Sequence, residues 1–340
     1  MSEFKFDALC IGNAITDVFS HVEDSFLVDQ SLVKGSMRLV DTDEALRLYD
    51  LMGQTTRISG GSAGNTAAGI ASLGGAPAFI GKVADDEIGE VYRHDMNSIG
   101  AHFQTSPLRD DLASGRSMIL ITPDGERTMN TYLGSATKLT ALDIDPEVVS
   151  NSAITYMEGY LWDEEAAKKA FLEASRVAHE AGKLVSLSLS DSFCVDRFRD
   201  EFLELIREDK VDILFANEHE LKALYQTSDI ETAIALVRED CTLTALTLGS
   251  EGAMAISREE TVHVPATAIV GGVRDLTGAG DLFASGFLFG LARDFSLSDC
   301  AELGCLCAGE VISTLAPAQK NLSTRLQSRV VSLWKPKNGQ

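Results

Sequence analysis

Short apolar runs alternate with helical patterns along the second half of this 340-residue chain. The apolar runs occupy residues 153–157, 184–189, 211–215 and 243–248. Strands that alternate with helices join through crossover connections, so they pair in parallel and carry helices on both faces of the sheet. We therefore expect a three-layer α/β/α fold with a mainly parallel sheet, whose ligands bind beyond the carboxyl ends of the strands.

Two other stretches predict a smaller sheet. Residues 16–40 alternate between polar and apolar side chains, which favours half-buried strands over a helix. Residues 114–132 contain two strand-like runs around the turn sequence Pro-Asp-Gly-Glu at 123–126, and this arrangement is a hairpin signal. Both segments are therefore expected to be β structure outside the alternating part of the chain.

The charge balance argues against several classes of partner. The formal net charge is −22, and a surface of that sign repels nucleic acids and anionic membranes. We expect neither a secretory leader nor a membrane span, because no apolar run approaches the roughly 18 residues that a span requires. The six cysteines lack zinc-site spacing and are expected to be buried free thiols. These features favour a cytoplasmic enzyme that acts on small molecules.

A turn of small residues precedes a strongly apolar helix pattern near the C-terminus. Gly278, Ala279 and Gly280 allow a sharp turn whose amides point at one spot, and residues 282–291 follow with helical spacing. A helix that begins with bare amides is an anion site suited to phosphate oxygens. Asp281 stands on the first turn, where it could accept a proton from a substrate hydroxyl or could simply cap the helix.

Polar residues also follow the first predicted strand and open a helix of small residues. Asn13 and Asp17 come after the apolar run that ends the first strand. Gly60, Gly61 and Asn65 stand at the start of the small-residue helix. A carboxylate with amide groups, approached closely by glycine backbone, suits a ligand that carries many hydroxyl groups. For Asp17, an ordinary turn or cap residue is the alternative.

Residues 60–67 and 275–288 resemble the two signatures of the ribokinase (pfkB) family of carbohydrate and nucleoside kinases. The resemblance runs from about residue 7 to about residue 317, and the signatures have the family's order and separation. It implies a ribokinase-like core and a small β-sheet lid that excludes water when it closes. The expected division is a core of residues 1–15, 41–103 and 134–340 and a discontinuous lid of residues 16–40 and 104–133.

The same resemblance implies ATP-dependent phosphoryl transfer and gives the catalytic groups their roles. Asp281 is implied as the base that accepts the proton of the substrate hydroxyl. The anion hole is implied to consist of Gly278, Ala279 and Gly280. Arg127 is implied to reach the phosphates when the lid closes. Because this reaction depends mainly on positioning and on charge stabilisation, an Asp with an ordinary pKa is an acceptable base.

Binding roles follow from the resemblance in the same way. The residues implied to hold the acceptor are Asn13, Asp17, Gly60, Gly61 and Asn65. The residues implied to lie beside ATP and Mg²⁺ are Asn217, Glu220, Thr247, Gly249 and Gly252, with Glu220 acting on Mg²⁺ through water. Asp275 and Thr277 match part of the family's K⁺ site. Residues 313–317 lack the Gly-Ala pair usual there, which weakens the case for K⁺.

The acceptor is the least determined part of the interpretation. Residues 188–193 and 211–220 are similar to those of the adenosine kinases, a branch of the family. This similarity implies that Phe193 stacks on a nucleobase and that the acceptor is the primary hydroxyl of adenosine. The alternatives are a core role for Phe193 and an acceptor such as ribose or fructose.

A sensor that binds a nucleoside or sugar without catalysis is a third function, which an intact Asp281 argues against. Glu158, at the end of a predicted strand, either touches the substrate or is exposed to solvent. The partners expected are ATP and one small molecule, without nucleic acid or membrane, and the chain is a monomer or a homodimer.

Overall fold

The computed structural model of the protein describes residues 4–269 and 276–313, and the elements below are those of these residues. The strands are β1 (Phe6–Ile11), β2 (Ile15–His21), β3 (Met37–Leu39), β4 (Thr56–Gly60), β5 (Pro77–Ile80), β6 (Gly115–Ile121), β7 (Arg127–Tyr132), β8 (Ser152–Glu158), β9 (Leu184–Ser188), β10 (Ile213–Asn217), β11 (Leu243–Thr247), β12 (Ala253–Ser257) and β13 (Thr261–Val264).

The helices of the described residues join these strands. They are α1 (Asp24–Asp29), α2 (Thr42–Leu51), α3 (Ser62–Ser72), α4 (Glu87–Ser98), α5 (Pro146–Ser150), α6 (Glu165–Glu180), α7 (Ser192–Arg207), α8 (Glu218–Tyr225), α9 (Ile230–Asp240), α10 (Ala279–Leu291) and α11 (Leu297–Ile312). Several begin with an acidic side chain that accepts from a first-turn amide, as Asp86 does for α4 and Asp191 for α7.

Eight strands of the described chain form the large sheet in the order β13-β12-β11-β10-β9-β8-β1-β5. The adjacent strands β5, β1, β8, β9, β10 and β11 pair in parallel. Strand β12 pairs antiparallel with β11, and β13 pairs antiparallel with β12. Strand β1 is buried along its whole length, as expected for a parallel strand with both faces covered. The predicted mainly parallel sheet is confirmed.

Helices cover both faces of this sheet and make the predicted three layers. On one face, Leu9 and Ile11 of β1 share a core with helices α5 to α9. On the other face, Ala8 and Cys10 share a core with α3, α4, α10 and α11. The alternation of these four residues shows how one short strand serves both cores, because successive side chains of a strand point to opposite faces.

The smaller sheet has the order β3-β7-β6-β2-β4 among the described residues. Strands β6 and β7 form the hairpin predicted around 123–126. The structure differs from the expected boundaries, because β4 pairs with β2 of this sheet and Leu48 of α2 packs with Val18 and Met118. The expectation that residues 41–60 belong to the core is therefore wrong, and this segment lies with the small sheet. Residues 16–40 also include helix α1 beside their strands.

Between residues 4 and 269 and between 276 and 313, no helix combines the length and the apolar character needed to cross a bilayer. The six cysteines are free and buried, as predicted.

The small-residue turn leads directly into helix α10, so the packing of this helix helps to position the turn. We expect Phe287→Ala to lower the free energy of unfolding by about 3–5 kcal/mol, since truncating a buried Phe leaves a cavity. Phe287 is fully buried, and its ring meets that of Phe215 edge to face at 5.6 Å. Denaturant titration measures the loss. Leu142→Ala, at a side chain that is 97% exposed, is the control and should stay within about 0.5 kcal/mol. Equal effects of the two variants would contradict the assigned packing of α10.

Candidate functional site

Two helix N-termini face each other at the carboxyl edge of the large sheet. Helix α3 begins after Gly61, whose φ of 81° lies in the left-handed region that favours glycine. A Cβ on Gly61 would lie 2.3 Å from the main-chain oxygen of Asn13, so the loop after β1 also requires glycine here. Helix α10 begins after Gly278, which has a φ of 77°.

Hydrogen bonds join these two helix starts through Asp281. The Ser62 hydroxyl donates to Oδ1 of Asp281 at 2.6 Å, and Nδ2 of Asn65 donates to Oδ2 at 2.9 Å. Both donors lie on the first turn of α3, and Asp281 lies on the first turn of α10. Burial raises the pKa of Asp281, and the two hydrogen bonds oppose that shift. The carboxylate is thus oriented at both oxygens, beyond what a simple helix cap requires.

A cavity of about 340 Å³ opens beside Asp281. Its lining includes the ends of β10 and β11 and the start of α10, and the predicted site residues in it are Asn217, Glu220, Thr247, Gly278, Gly280 and Asp281. No Lys or Arg is among the described residues that line it. Among the described residues, main-chain amides at the start of α10 are the groups that an anion there could meet.

The first-turn amides of α10 match the predicted anion hole only in part. The Ala279 amide was expected to have no hydrogen-bond partner, but it donates to the Leu276 oxygen at 3.2 Å. Gly280 and Asp281 occupy the next positions, where helix amides have no partner within the helix. Of the three residues predicted to form the anion hole, Ala279 is therefore the one whose amide already has a main-chain partner, and the anion hole itself stays a prediction.

Asn217 and Glu220 bond to each other at the start of α8. Asn217 donates to Glu220 from its main-chain nitrogen (2.8 Å) and from Nδ2 (2.6 Å), and the Glu220 amide returns a bond to Oδ1 (2.9 Å). Burial raises the pKa of Glu220 to about 7. A carboxylate has about four lone-pair sites, so two remain after these bonds. The pair is a capping box that still fits a magnesium site held through water.

Asp17 lies on β2 of the small sheet, against the start of α3. A Cβ on Gly60 would lie 2.4 Å from Oδ2 of Asp17, which shows how closely the carboxylate approaches this glycine. Burial raises the pKa of Asp17 to about 7, the charge of Arg127 lowers it, and the charge of Asp281 raises it further. Arg127 therefore lies near enough to Asp17 for their charges to interact, with its guanidinium 5.6 Å from the centre of the Phe19 ring.

The structure places Asn13 and Glu158 together. Glu158 is only 1% exposed and accepts both from the main-chain nitrogen of Asn13 (2.9 Å) and from its Nδ2 (2.8 Å). The expectation of a solvent-exposed strand end is wrong, because β8 ends beneath the loop after β1. The side-chain amide of Asn13 is bonded to this carboxylate, so its oxygen is the group left for a ligand.

Phe193 is 69% exposed on the first turn of α7. The alternative of a core Phe is therefore wrong. The guanidinium of Arg197 lies 4.5 Å from the ring centre, and Phe193 is absent from the lining of the 340 Å³ cavity. Stacking on a nucleobase stays a prediction.

The remaining predicted residues are those expected beside ATP, namely Thr247, Gly249 and Gly252, and those expected at a K⁺ site, namely Asp275 and Thr277. Thr247 ends β11, and Gly249 follows it with a φ of 59°. Gly252 has a packing role, since its Cβ would lie 2.0 Å from the Val264 oxygen. Asp275 lies outside the described residues, as do 314–317, and so only Thr277 of the K⁺ prediction is described.

Sequence reasoning missed three groups that the structure places in the site. Ser62 was treated as one small residue of a signature, although Ser at the start of a helix signals a polar role. Tyr160 lines the cavity, and its hydroxyl donates to the Ser190 oxygen at 3.3 Å. Ser190 has a φ of 71°, unusual for a residue other than glycine, and no local pattern in the sequence indicates it.

Comparisons with known proteins show the family to which the chain belongs. Residues 31–324 match the model of the pfkB family of carbohydrate kinases. The adenosine kinase of Sinorhizobium meliloti is 49% identical, with a TM-score of 0.86 over 96% of this chain and 99% of that one. The probable sugar kinase of Rhizobium etli CFN 42 is 47% identical, with a TM-score of 0.87 over 97% and 98%. The aminoimidazole riboside kinase of Salmonella typhimurium is 32% identical over 240 residues, which are 69% of this chain and 74% of that protein.

The fold, the oriented carboxylate and these relatives define a small-molecule kinase. The chain belongs to the pfkB family of carbohydrate kinases, whose members use ATP and act on sugars or nucleosides.

The contribution of Asp281 to the stability of the folded protein should fall as the pH rises. Its pKa is raised in the folded protein, so the folded state holds a proton that the unfolded state releases from about pH 4 upward. Wild-type stability from this group is therefore greatest at low pH and is lost as pH rises through the folded pKa. Asp281→Asn removes the ionisation, and its melting temperature should exceed that of the wild type by more at pH 8 than at pH 4.5. A difference that is constant between these pH values would contradict the raised pKa.

Proposed function

We propose that the protein transfers the γ-phosphoryl group of ATP to the primary hydroxyl of a ribonucleoside, with adenosine as the acceptor and AMP as the product. The observation that carries this proposal is the Asp281 carboxylate, held at both oxygens by Ser62 and Asn65 beside the cavity. The similarity to the Sinorhizobium meliloti adenosine kinase supports adenosine as the acceptor.

In the proposed reaction, the acceptor oxygen forms a bond to the γ-phosphorus, and the bond from that phosphorus to the bridging oxygen of ADP breaks. Asp281 accepts the proton of the acceptor hydroxyl. The amides of Gly280 and Asp281 face the charge on the transferring group, at the positive end of α10. Because the transition state is loose, holding these groups in line supplies most of the acceleration.

Acceptor binding is proposed to involve both sheets. Asp17 on β2 and Asn65 on α3 would hold ribose hydroxyls, with Gly60, Gly61 and the Asn13 oxygen beside them. Asp17 belongs to the small sheet, so binding would draw that sheet toward the core and exclude water. Arg127, which lies near Asp17, would reach the phosphates in the closed state.

ATP and Mg²⁺ are proposed to occupy the opposite wall. Thr247, Gly249 and Gly252 would lie beside the nucleotide, and Glu220 with Asn217 would hold waters of the metal ion. Mg²⁺ neutralises charge on the phosphates when it is bound, and it usually keeps several waters and few protein ligands. Within the described part of the chain, no three His, Cys, Asp or Glu side chains group as a metal site.

Sugar phosphorylation is the second candidate. It is favoured by the similarity to the Rhizobium etli sugar kinase and by the position of Phe193, whose ring lies outside the cavity lining. A simple sugar needs Asp17, Asn65 and Asp281 in the same roles but no aromatic partner. Under either proposal the enzyme acts in the cytoplasm, as free cysteines suggest, and works as a monomer or homodimer.

Loss of the base is the direct test of the mechanism. Asp281→Asn should reduce kcat by a factor of roughly 10²–10⁴, because the amide cannot accept the proton. The control is Asp299→Asn, since Asp299 also lies on a helix first turn and accepts from a serine, Ser296, at 2.6 Å. Steady-state kcat with the preferred acceptor is the measurement. If Asp281→Asn keeps more than about a tenth of wild-type kcat, Asp281 is only a cap.

A panel of acceptors separates nucleoside from sugar. Wild-type kcat/KM should be greater for adenosine than for ribose or fructose. Phe193→Ala should weaken adenosine binding by about 1–3 kcal/mol, the usual contribution of base stacking, and leave the KM for ATP unchanged. Phe193→Tyr, which keeps an aromatic ring, is the control. A higher kcat/KM for a simple sugar, or adenosine kinetics that ignore Phe193→Ala, would favour the sugar kinase instead.

A further inference from the structure

The carboxylate of Glu158 joins two segments that both carry acceptor-site residues. Oε1 accepts the two bonds from Asn13, in the loop after β1, and Oε2 accepts from the main-chain nitrogen of Ala63 at 2.9 Å. We call Gly12, Asn13, Gly61, Ala63 and Glu158 the Glu158 junction. Its carboxylate has three N–H donors and almost no contact with solvent.

Helix α3 depends on this junction for its N-terminal cap. The N-cap residue of α3 is Gly61, which has no side chain to accept from the first-turn amides. Glu158, 95 residues away in sequence, supplies the acceptor to Ala63 instead. A carboxylate at a helix N-terminus is favoured both by hydrogen bonding and by the helix dipole. The same first turn carries Ser62 and Asn65, the two donors to Asp281.

The main chain packs closely against the carboxylate of the junction. A Cβ on Gly12 would lie 2.3 Å from Oε2 of Glu158, so the main chain passes directly over the carboxylate. Burial raises the pKa of Glu158 to about 7, and the amides of Asn13 and Ala63 lower it. The donors therefore favour the ionised form that the three bonds require.

We propose that Glu158 is a positioning residue for phosphoryl transfer: it fixes the loop after β1 against the first turn of α3, and so sets the direction of the Ser62 and Asn65 bonds to Asp281. Its carboxylate accepts three N–H bonds and is only 1% exposed, so it acts without touching the acceptor. This inference rests on the proposed function for the reaction that is served, and it holds for a nucleoside or a sugar acceptor alike.

Glutamine is the informative replacement, because it has the same shape but only one acceptor oxygen. Its NH₂ group would face the Ala63 amide, which is also an N–H donor. The hydrogen bond to Ala63 would then be lost, and two buried donors would lack an acceptor. We expect Glu158→Gln to lower kcat/KM for the preferred acceptor by a factor on the order of 10–10², the range that small misplacements of reacting groups produce. The KM for ATP should stay unchanged, since the ATP-side residues lie on β10 and β11.

The control is Asp7→Asn, at the opposite end of β1. Asp7 is 5% exposed, accepts from the Ala76 nitrogen at 2.6 Å and pairs with Arg293 at 2.9 Å, so it too is a buried carboxylate bonded to main chain. Asp7→Asn should lower the melting temperature without changing acceptor kinetics. Glu158→Asp is a second variant, which keeps the charge but is one methylene too short to reach both segments, and it should show a smaller loss of kcat/KM.

Several outcomes overturn the inference. It is wrong if both Glu158 variants keep acceptor kcat/KM within about threefold of wild type, or if the KM values for acceptor and ATP rise together, which indicates general loosening. If the wild type phosphorylates neither nucleosides nor sugars, the proposed function fails separately. Amide hydrogen exchange over residues 60–66 then tests the junction, and exchange that is unchanged in Glu158→Gln relative to the wild type overturns it.

Discussion

The site depends on the close approach of helices α3 and α10. A Cβ on Gly69 of α3 would lie 2.3 Å from Oγ of Ser285 on α10, so only glycine lets the two axes come this near. That distance places the first turns of both helices side by side, with Ser62 and Asn65 within reach of Asp281. The small-residue composition of α3 is thus a condition for the site, since a larger side chain at this contact would separate donors from base.

Four acidic side chains lie in or close to the candidate site of a kinase whose family uses ATP. Burial raises the pKa values of Asp17, Glu158 and Glu220 to about 7 and also raises that of Asp281. In a chain with a net charge of −22, the opposing interactions among the described residues are local ones: main-chain amides and the Arg127 charge. Burying these carboxylates lowers the stability of the folded protein at neutral pH, but it leaves groups that can accept protons or bond to N–H groups.

Much of the fold was predictable because its signals are local. The alternation after residue 153, the hairpin around 123–126 and the turn before α10 each depend on neighbouring residues, and all three are present. The assignment of 41–60 failed because the pairing of β4 with β2 depends on contacts between distant segments. In the candidate site, Asp281 and Asn65 were singled out by their motifs, and the structure places them in hydrogen-bond contact, while their roles stay predictions. The bond from Ser62, the burial of Glu158 and the exposure of Phe193 were not predicted, since each is set by residues far away in sequence.

Two of the short connections between the small sheet and the core are the segments proposed to hold the acceptor. Only residues 12–14 separate β1 from β2, and only Gly61 separates β4 from α3. If the small sheet closes as proposed, these two connections of its hinge are also the stretches proposed to hold the acceptor. A substitution that tightens the grip on the acceptor would also stiffen the hinge, so affinity and the rate of product release cannot be adjusted independently in this architecture. An engineer seeking a new acceptor would have to alter the opening motion as well.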